Sequence, residues 1–281
     1  MSQINPNGIM ALVAGRIHSN HAAGLLSSMN KLATGQRINR GADDPAGLII
    51  SENLRAMLAA IEAESRSLQR TSSVAASAEG ALSEVSSMLN EANALVVANA
   101  NTAGMSEAER QANQLQIDSI LASVDRIAGS ASFNGQSLLD GSLALTAGET
   151  RLTLPSIATH NLGAVDVDGK TYTLADLASG GALNAVTGNL EAAQQAIAAA
   201  QQQVTTVRGE IGAFQRHTVN AQLDNLAVTM QNVASANSMI RDTDFASETA
   251  NFSRLWLLER SALRVMSLVD RNAHEVLGLL G

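Results

Sequence analysis

The sequence predicts a mainly α protein: long antiparallel helices and a coiled coil formed by the N- and C-terminal segments, with a small β-hairpin region in the middle. Only 2% of the 281 residues are aromatic although 46% are hydrophobic, so the apolar side chains are almost all Ala, Leu, Val, Ile and Met. Strands favour aromatic and β-branched residues, and this composition therefore favours helices in close contact. The chain has only three prolines, which agrees with long helices.

The first predicted helix extends from about residue 9 to residue 38. Its apolar residues recur at spacings of three and four, which is the pattern of a helix with one buried face. Asn30 and Gln36 fall outside this stripe. The stripe consists of Ala22, Leu25, Leu26, Met29, Leu32 and Ala33.

The second predicted helix has a recognisable start. Asp44 is suited to cap it, because a carboxylate accepts a hydrogen bond from an unpaired N–H group of the first turn. Pro45 suits the first helical position, where its missing N–H would be unpaired anyway. An apolar stripe from Leu54 to Val96 then extends over roughly 50 residues, about 75 Å. A single helix of that length requires a partner beside it.

The middle of the chain changes from helical to β-prone patterns and back. Ser106 and Glu109 form a capping box that opens a third helix, which is expected to end near 133–135. Between 141 and 188 the β-prone runs are short, and Asp168-Gly169 separates two of them. Asp-Gly between such runs predicts a β-hairpin. These runs are 150–154, 164–167 and 170–174, and a fourth long helix follows from Leu190 to Met230.

The C-terminal segment carries a heptad pattern of apolar residues, interrupted only by Asn272. Its heptad positions are Leu255, Leu258, Ala262, Val265, Val269, Asn272, Val276 and Leu279. A second apolar face consists of Trp256, Leu263, Met266 and Leu277. A helix this apolar around its circumference must be buried on more than one side, and neighbouring copies of the chain are the simplest cover.

Several functional classes lack support in the sequence. The net charge is −8 and only two lysines accompany sixteen arginines, so no basic surface for nucleic acid is expected. Without cysteine there is no disulfide and no thiolate site. We expect no cleaved signal peptide, no membrane insertion, no cofactor and no enzymatic activity. His18 and His21 could share a metal by spacing, but no carboxylate or cysteine stands beside them in the sequence.

Four ordered blocks closely resemble bacterial flagellins, and the resembling regions cover about 1–141 and 188–281. The first block is LATGQRINRGADDPAGLIISE. The blocks are Leu32–Glu52, Ala78–Val85, Phe133–Gly141 and Ile240–Ala250. The resemblance implies a structural subunit that polymerises into the extracellular flagellar filament for swimming motility. It also implies secretion through the flagellum's own type III channel.

The resemblance further implies an architecture of two concentric layers. Residues 1–42 and 238–281 would be the two halves of an inner-tube domain, and residues 43–140 and 188–237 would be the two parts of an outer helical domain. Residues 141–187 would be a short hairpin-containing middle region, as in a minimal flagellin. The expected partners are other copies of the chain, an export chaperone on the C-terminal segment, and hook-associated and cap proteins.

The expected self-assembly seam combines apolar residues from both termini. It consists of Leu25, Met29, Leu32, Phe252, Leu255, Leu258, Ala262, Val265, Val269, Val276 and Leu279. The sequence departs from the family pattern at Arg216-His217 and Met239, which changes the packing expected at these positions but not the assignment to the family.

In flagellins that the animal Toll-like receptor detects, an arginine occupies the position of Glu91 and a glutamate that of Ala94, while Leu95 is retained. This chain is therefore expected to escape that receptor.

Three alternatives remain open. A hook–filament junction protein resembles flagellin at both ends, but its middle region is usually longer. An enzyme-bearing flagellin would need a catalytic insertion, for which residues 141–187 are too few. A coiled-coil scaffold or signalling bundle explains the heptads but not the four ordered blocks.

Overall fold

The structure, a computed structural model, describes the backbone of residues 6–101 and 104–280 and the side-chain environments of 9–101, 104–269 and 271. It confirms the mainly α fold. Most described residues lie in long helices, and the strands are short. The helices are α1 (Pro6–Thr34), α2 (Pro45–Ala100), α3 (Glu107–Ser130), α4 (Leu190–Ala213), α5 (Asn220–Arg241) and α6 (Phe245–Leu280).

The capping box at the start of α3 is confirmed. The Glu109 carboxylate accepts a hydrogen bond from Ser106 N at 2.7 Å, and the Ser106 hydroxyl accepts one from Glu109 N at 3.2 Å. The hydrogen bond from the Ser106 backbone holds the pKa of Glu109 below its ordinary value. Two N–H groups that the helix leaves unpaired are thereby satisfied.

The strands form three separate antiparallel pairs in the described part of the chain. The predicted hairpin is confirmed as β5–β6, with Asp168 and Gly169 at φ 56° and 76° in its two-residue turn. The predicted β-prone run 150–154 contains β4, but the hairpins β1–β2 and β3–β4 were not predicted, because their other strands of two to four residues give little periodicity. The pairs are β1 (Ser132–Phe133) with β2 (Gln136–Ser137), β3 (Ala144–Ala147) with β4 (Thr150–Thr153), and β5 (Val165–Val167) with β6 (Lys170–Tyr172).

Three predicted helices end differently from expectation. The first was predicted to reach residue 38, but α1 ends at Thr34, directly before Gly35 with its positive φ. Helix α3 stops at Ser130, and Asn134-Gly135, expected at its end, forms the β1–β2 turn instead, with φ 51° and 79°. The helix predicted from Leu190 to Met230 is divided by a π-helical segment, Phe214–Val219, between α4 and α5. A π turn holds an extra residue, and here it lets both Phe214 and Val219 reach the core.

The contacts between Cα atoms divide the chain into two units. The first is Met1–Ile61 with Thr229–Gly281, and the second is Glu62–Val228. Both ends of the chain therefore belong to one unit. The second unit has a continuous apolar core, to which α2, α3 and α4 contribute mainly Ala, Leu, Ile and Val. Buried alanines on α4 are Ala192, Ala193, Ala196 and Ala200, which permit close helix packing.

The middle region is part of that core. The sequence suggested an excursion with little beyond a hairpin, but Leu154, Ile157 and Leu177 are almost completely buried. A short 3-10 helix, Leu174–Leu177, follows β6. It is fixed on α3 by Gln114, whose Nε2 donates to Leu177 O at 2.8 Å. No helix in the described residues is long and apolar enough to cross a membrane.

Candidate assembly interface of the terminal helices

The turn between α1 and α2 is ordered by two adjacent aspartates. Asp43 Oδ2 accepts hydrogen bonds from the backbone N–H groups of Asn39 and Arg40, at 3.0 and 2.9 Å. These bonds, the Asn39 bond foremost, hold the pKa of Asp43 below its ordinary value. Asp44 Oδ1 accepts a hydrogen bond from Gly47 N at 2.9 Å, and Pro45 is the first residue of α2. The pair thus serves the local backbone, which is the geometry of a helix cap.

The same turn is bound to the α5–α6 connection by backbone hydrogen bonds. Arg37 N donates to Arg241 O at 2.6 Å, and Thr243 N donates to Gly35 O at 2.9 Å. An isolated antiparallel bridge joins Gln36 to Asp242. Gly35 adopts φ +70°, a conformation that glycine tolerates and most residues do not. The two terminal helices are therefore held together where each meets the rest of its unit.

Arg241 strengthens this connection from the side of α5. Its Nη1 lies 2.7 Å from Glu52 Oε1, and its Nε donates to Gln36 Oε1 at 3.2 Å. The Ser51 hydroxyl, fully buried, donates to Asn237 Oδ1 at 2.8 Å. Hydrogen bonding by Arg241 holds the pKa of Glu52 below its ordinary value.

Beyond the turn, α1 and α6 pack against each other in an antiparallel pair. Three contacts define the facing surfaces. The Ser28 hydroxyl donates to Glu248 Oε1 at 2.5 Å, and His18 Nδ1 lies 3.4 Å from Glu259 Oε1. A Cβ atom at Gly24 would lie 3.4 Å from Leu255 Cδ2.

The shielded residues of both helices alternate at spacings of three and four, which is the pattern of a coiled-coil seam. We call them the seam positions. On α1 they are Ala14, His18, His21, Leu25, Ser28 and Leu32, with Gly35 directly after the helix, and on α6 they are Glu248, Phe252, Leu255, Glu259, Ala262, Met266 and Val269. Gly15, Ala22, Gly24, Lys31 and Asn251, beside these positions, are partly shielded as well.

The expected self-assembly residues fall into three groups. Leu25, Leu32, Phe252, Leu255, Ala262 and Val269 lie at seam positions. Met29, Leu258 and Val265 do not, since they are 55%, 38% and 51% exposed. The side chains of Val276 and Leu279 lie outside the described residues. The α1–α6 pair thus shields Glu259 and Met266 where the apolar pattern favoured Leu258 and Val265.

Large apolar side chains remain exposed on both terminal helices. On α1 they include Ile9, Met10, Leu12, Val13, Ile17, Leu26 and Met29. On α6 they include Phe245, Trp256, Leu257, Leu258, Leu263, Val265 and Leu268. The Arg260 guanidinium lies over the Trp256 ring, 4.7 Å from its centroid. Many large exposed apolar side chains on two helices are characteristic of a protein–protein interface.

The fold places a carboxylate near His18, one of the two histidines that could share a metal by spacing. The sequence shows no carboxylate beside them, whereas the structure brings Glu259 to His18 from the other end of the chain. Sequence spacing could not reveal this contact, because it depends on how α6 pairs with α1. Among the described residues no group of three or more His, Cys, Asp or Glu is arranged to hold a metal ion.

The segment compared with the receptor-contact region lies on α2, in the second unit. Glu91 and Ala94 are exposed, and Leu95 is half-buried against the core. Asn90 Oδ1 accepts a hydrogen bond from Gln201 Nε2 at 2.9 Å, which links this part of α2 to α4. The two substituted positions are thus available to a partner, and Leu95 is partly used in packing.

Comparison with known proteins finds two matching family models. The model described as the bacterial flagellin N-terminal helical region matches residues 4–144, and that described as the bacterial flagellin C-terminal helical region matches residues 194–280. The flagellin of Bacillus subtilis (strain 168) is 30% identical over 311 residues, covering 99% of each chain. The flagellar filament 30.7 kDa core protein of Treponema maltophilum is 29% identical over 271 residues, covering 90% of this chain and 91% of its own. Flagellin FlaB2 of Treponema pallidum is 31% identical, with the same shares covered.

Proposed function

This chain belongs to the bacterial flagellin family, and from that premise we propose that α1 and α6 carry the subunit contacts of its filament. The chain is a structural subunit of the flagellar filament, and it associates with copies of itself. The observation that carries the proposal is the apolar surface left exposed on both helices. Helix pairing within one chain shields the seam positions and their immediate neighbours, so the exposed apolar side chains require other subunits as cover.

The proposed architecture has two layers. Residues 1–42 and 238–281 form the inner tube, and residues 43–140 and 188–237 form the outer helical domain, with 141–187 as its short middle region. The antiparallel α1–α6 pair supports the inner tube, since it joins both ends of the chain. The apolar core of the second unit supports an outer domain that is folded independently of assembly.

The remaining proposed partners act in export of the chain and in growth of the filament. Flagellins leave the cell unfolded through the flagellar type III channel, and the filament is extracellular. A chaperone would cover the C-terminal segment before export, because that segment exposes apolar side chains around much of its circumference. Hook-associated and cap proteins would contact the ends of the growing filament.

A hook–filament junction protein is the second candidate. The relatives named above are flagellins and a filament core protein, and each matches this chain over most of its length. A filament subunit is therefore the better supported function. The two candidates differ in the length of the polymer they form, since a junction protein occupies only a few layers of the flagellum whereas a filament subunit forms a long filament.

Truncation tests the proposal directly. Purified full-length chain and a variant lacking residues 255–281 are incubated under polymerising conditions, then compared by sedimentation and electron microscopy. Full-length chain should form long filaments, whereas the truncated chain should remain soluble and should not bind the chaperone. Circular dichroism serves as the control, because residues 45–237 should stay folded in the variant. Filaments from the truncated chain would contradict the assignment of α6 to the interface.

A further inference from the structure

The α1–α6 seam does not follow the most apolar stripe of α6. The seam and that stripe share Leu255, Ala262 and Val269, but the seam continues through Glu259 and Met266. Neighbouring residues on a helix differ in direction by about 100°, so the two stripes differ by about half that angle. Turning a glutamate instead of a leucine toward α1 costs free energy unless the carboxylate finds a partner there.

Two polar pairs bring groups of α1 to these carboxylates: Ser28 donates a hydrogen bond to Glu248, whereas His18 Nδ1 lies 3.4 Å from Glu259 Oε1 without a hydrogen bond. The Glu259 side chain is 18% exposed, and the His18 side chain opposite it is 31% exposed. Glu248 lies about three turns before Glu259 on the same face of α6, and it accepts hydrogen bonds from Ser28 and from Asn251. The hydrogen bond from Ser28 is the main cause of the lowered pKa of Glu248.

We propose that Glu248 and Glu259, paired with Ser28 and His18, select the face of α6 that packs on α1. Apolar burial alone would favour the stripe through Leu258, because leucine and valine then occupy the contact. With that stripe turned inward, His18 would face an apolar side chain and both carboxylates would leave their partners. The polar pairs therefore determine the rotation of α6 about its axis.

The selection has a consequence for the surface that α6 leaves exposed. Leu258 and Val265 lie on one flank of the seam, and Trp256 and Leu263 lie on the other. Both flanks stay free for other subunits only if α6 keeps this rotation. This consequence rests on the proposed function, whereas the selection of the face concerns contacts within one chain.

A pair that selects the packing face and a pair that contributes nothing should respond differently to single and double substitution. Removing one member of a shielded polar pair leaves its partner without compensation, whereas replacing both members by apolar residues is often neutral for stability. A pair that selects a face should therefore tolerate double replacement better than single replacement. A pair that contributes nothing should tolerate both equally.

The chain has no cysteine, so an engineered pair reports the rotation without background. Gly24→Cys with Leu255→Cys joins two positions that face each other across the α1–α6 pair, since a Cβ atom at Gly24 would lie 3.4 Å from Leu255 Cδ2. Turning α6 by half a residue step would move position 255 by about 2–3 Å, outside the geometry that a disulfide requires. Disulfide yield is measured in the full chain, in both pellet and supernatant after sedimentation.

His18→Leu should lower the disulfide yield about tenfold, and adding Glu259→Leu should restore it. The exchange His18→Glu with Glu259→His should restore it too, because the two groups again face each other. His21→Leu is the matched control: it replaces the other seam histidine one turn away and should leave the yield unchanged.

The proposal is overturned if His18→Leu cross-links as well as the parent, if neither second substitution restores the yield, or if His21→Leu lowers it equally. The parent is the chain that carries only Gly24→Cys and Leu255→Cys, and its pelleting on sedimentation reports separately on filament formation. A parent that cross-links without pelleting would contradict the proposed function and leave the selection of the face supported.

Discussion

Replacing Gly47 by alanine should destabilise the terminal unit, although glycine-to-alanine changes inside helices usually stabilise by about 1 kcal/mol. Gly47 is buried in the first turn of α2. A Cβ atom there would lie 2.4 Å from Asp44 Oδ2 and 2.7 Å from Ile38 Cδ1. Contacts this short require a neighbour to move, and both neighbours are constrained.

The expected loss of folding free energy is the sum of what Asp44 and Ile38 each lose, less the gain in helix propensity. Asp44 can relieve its contact only by turning away from Gly47 N, and loss of such a cap costs about 1 kcal/mol. Ile38 is 1% exposed, so forcing it aside overpacks its site at about 1–3 kcal/mol. After the gain of about 1 kcal/mol in helix propensity, the net loss is about 1–3 kcal/mol.

The assay is thermal disassembly of filaments at fixed protein concentration, followed by circular dichroism at the wavelength of helix absorption. A loss of this size should lower the midpoint by about 3–10 °C. Gly80→Ala is the matched control on the same helix, because a Cβ atom there meets no atom within 4 Å. It should be neutral or stabilising. If Gly47→Ala behaves like Gly80→Ala, the steric reasoning about the α1–α2 turn is wrong.

Three further predictions concern the monomer, the receptor and acid. Amides of residues 252–269 should be less protected from exchange in dilute monomer than in filaments, because pairing with α1 covers one face of α6 and subunit contacts are needed to cover the rest; equal protection in the two states would contradict this. Reporter cells should respond to this chain about 30- to 1,000-fold more weakly than to a detected flagellin, since Glu91 replaces an interface arginine, and Glu91→Arg should recover part of the response. Hydrogen bonding by Ser28 lowers the pKa of Glu248 in the folded state, so its contribution is present above the ordinary value of 4.5 and is lost as pH falls through the lowered pKa. Ser28→Ala should therefore weaken filaments at neutral pH and make their disassembly less steep in acid; an unchanged acid profile would show that this bond does not contribute.

Local features of the fold were predictable because their causes are local. The capping box of Ser106 and Glu109 and the Asp168-Gly169 turn each depend on residues within one turn of chain. The long helices were predictable from the spacing of apolar residues. The family was predictable because four blocks occur in order at both ends of the chain.

Contacts between distant segments were not predictable in the same way. The middle region was expected to be peripheral, yet Leu154 and Leu177 lie in the core, since burial depends on which elements pack over a short strand or turn. The π-helical segment Phe214–Val219 likewise places two side chains in the core. The spacing of apolar residues in the sequence does not predict such a segment.

The terminal helices show the division most clearly. By itself the sequence determined that α6 is a helix with apolar side chains on more than one face, because heptad spacing and apolar content are properties of the chain. The resemblance to flagellins added that both termini belong to one domain. Only the tertiary structure decided which face of α6 meets α1. Apolar burial alone favours the stripe through Leu258, and we attribute the choice of the other face to Glu259 meeting His18 and Glu248 meeting Ser28 across the pair. Such contacts join residues from opposite ends of the chain, so no local pattern encodes them.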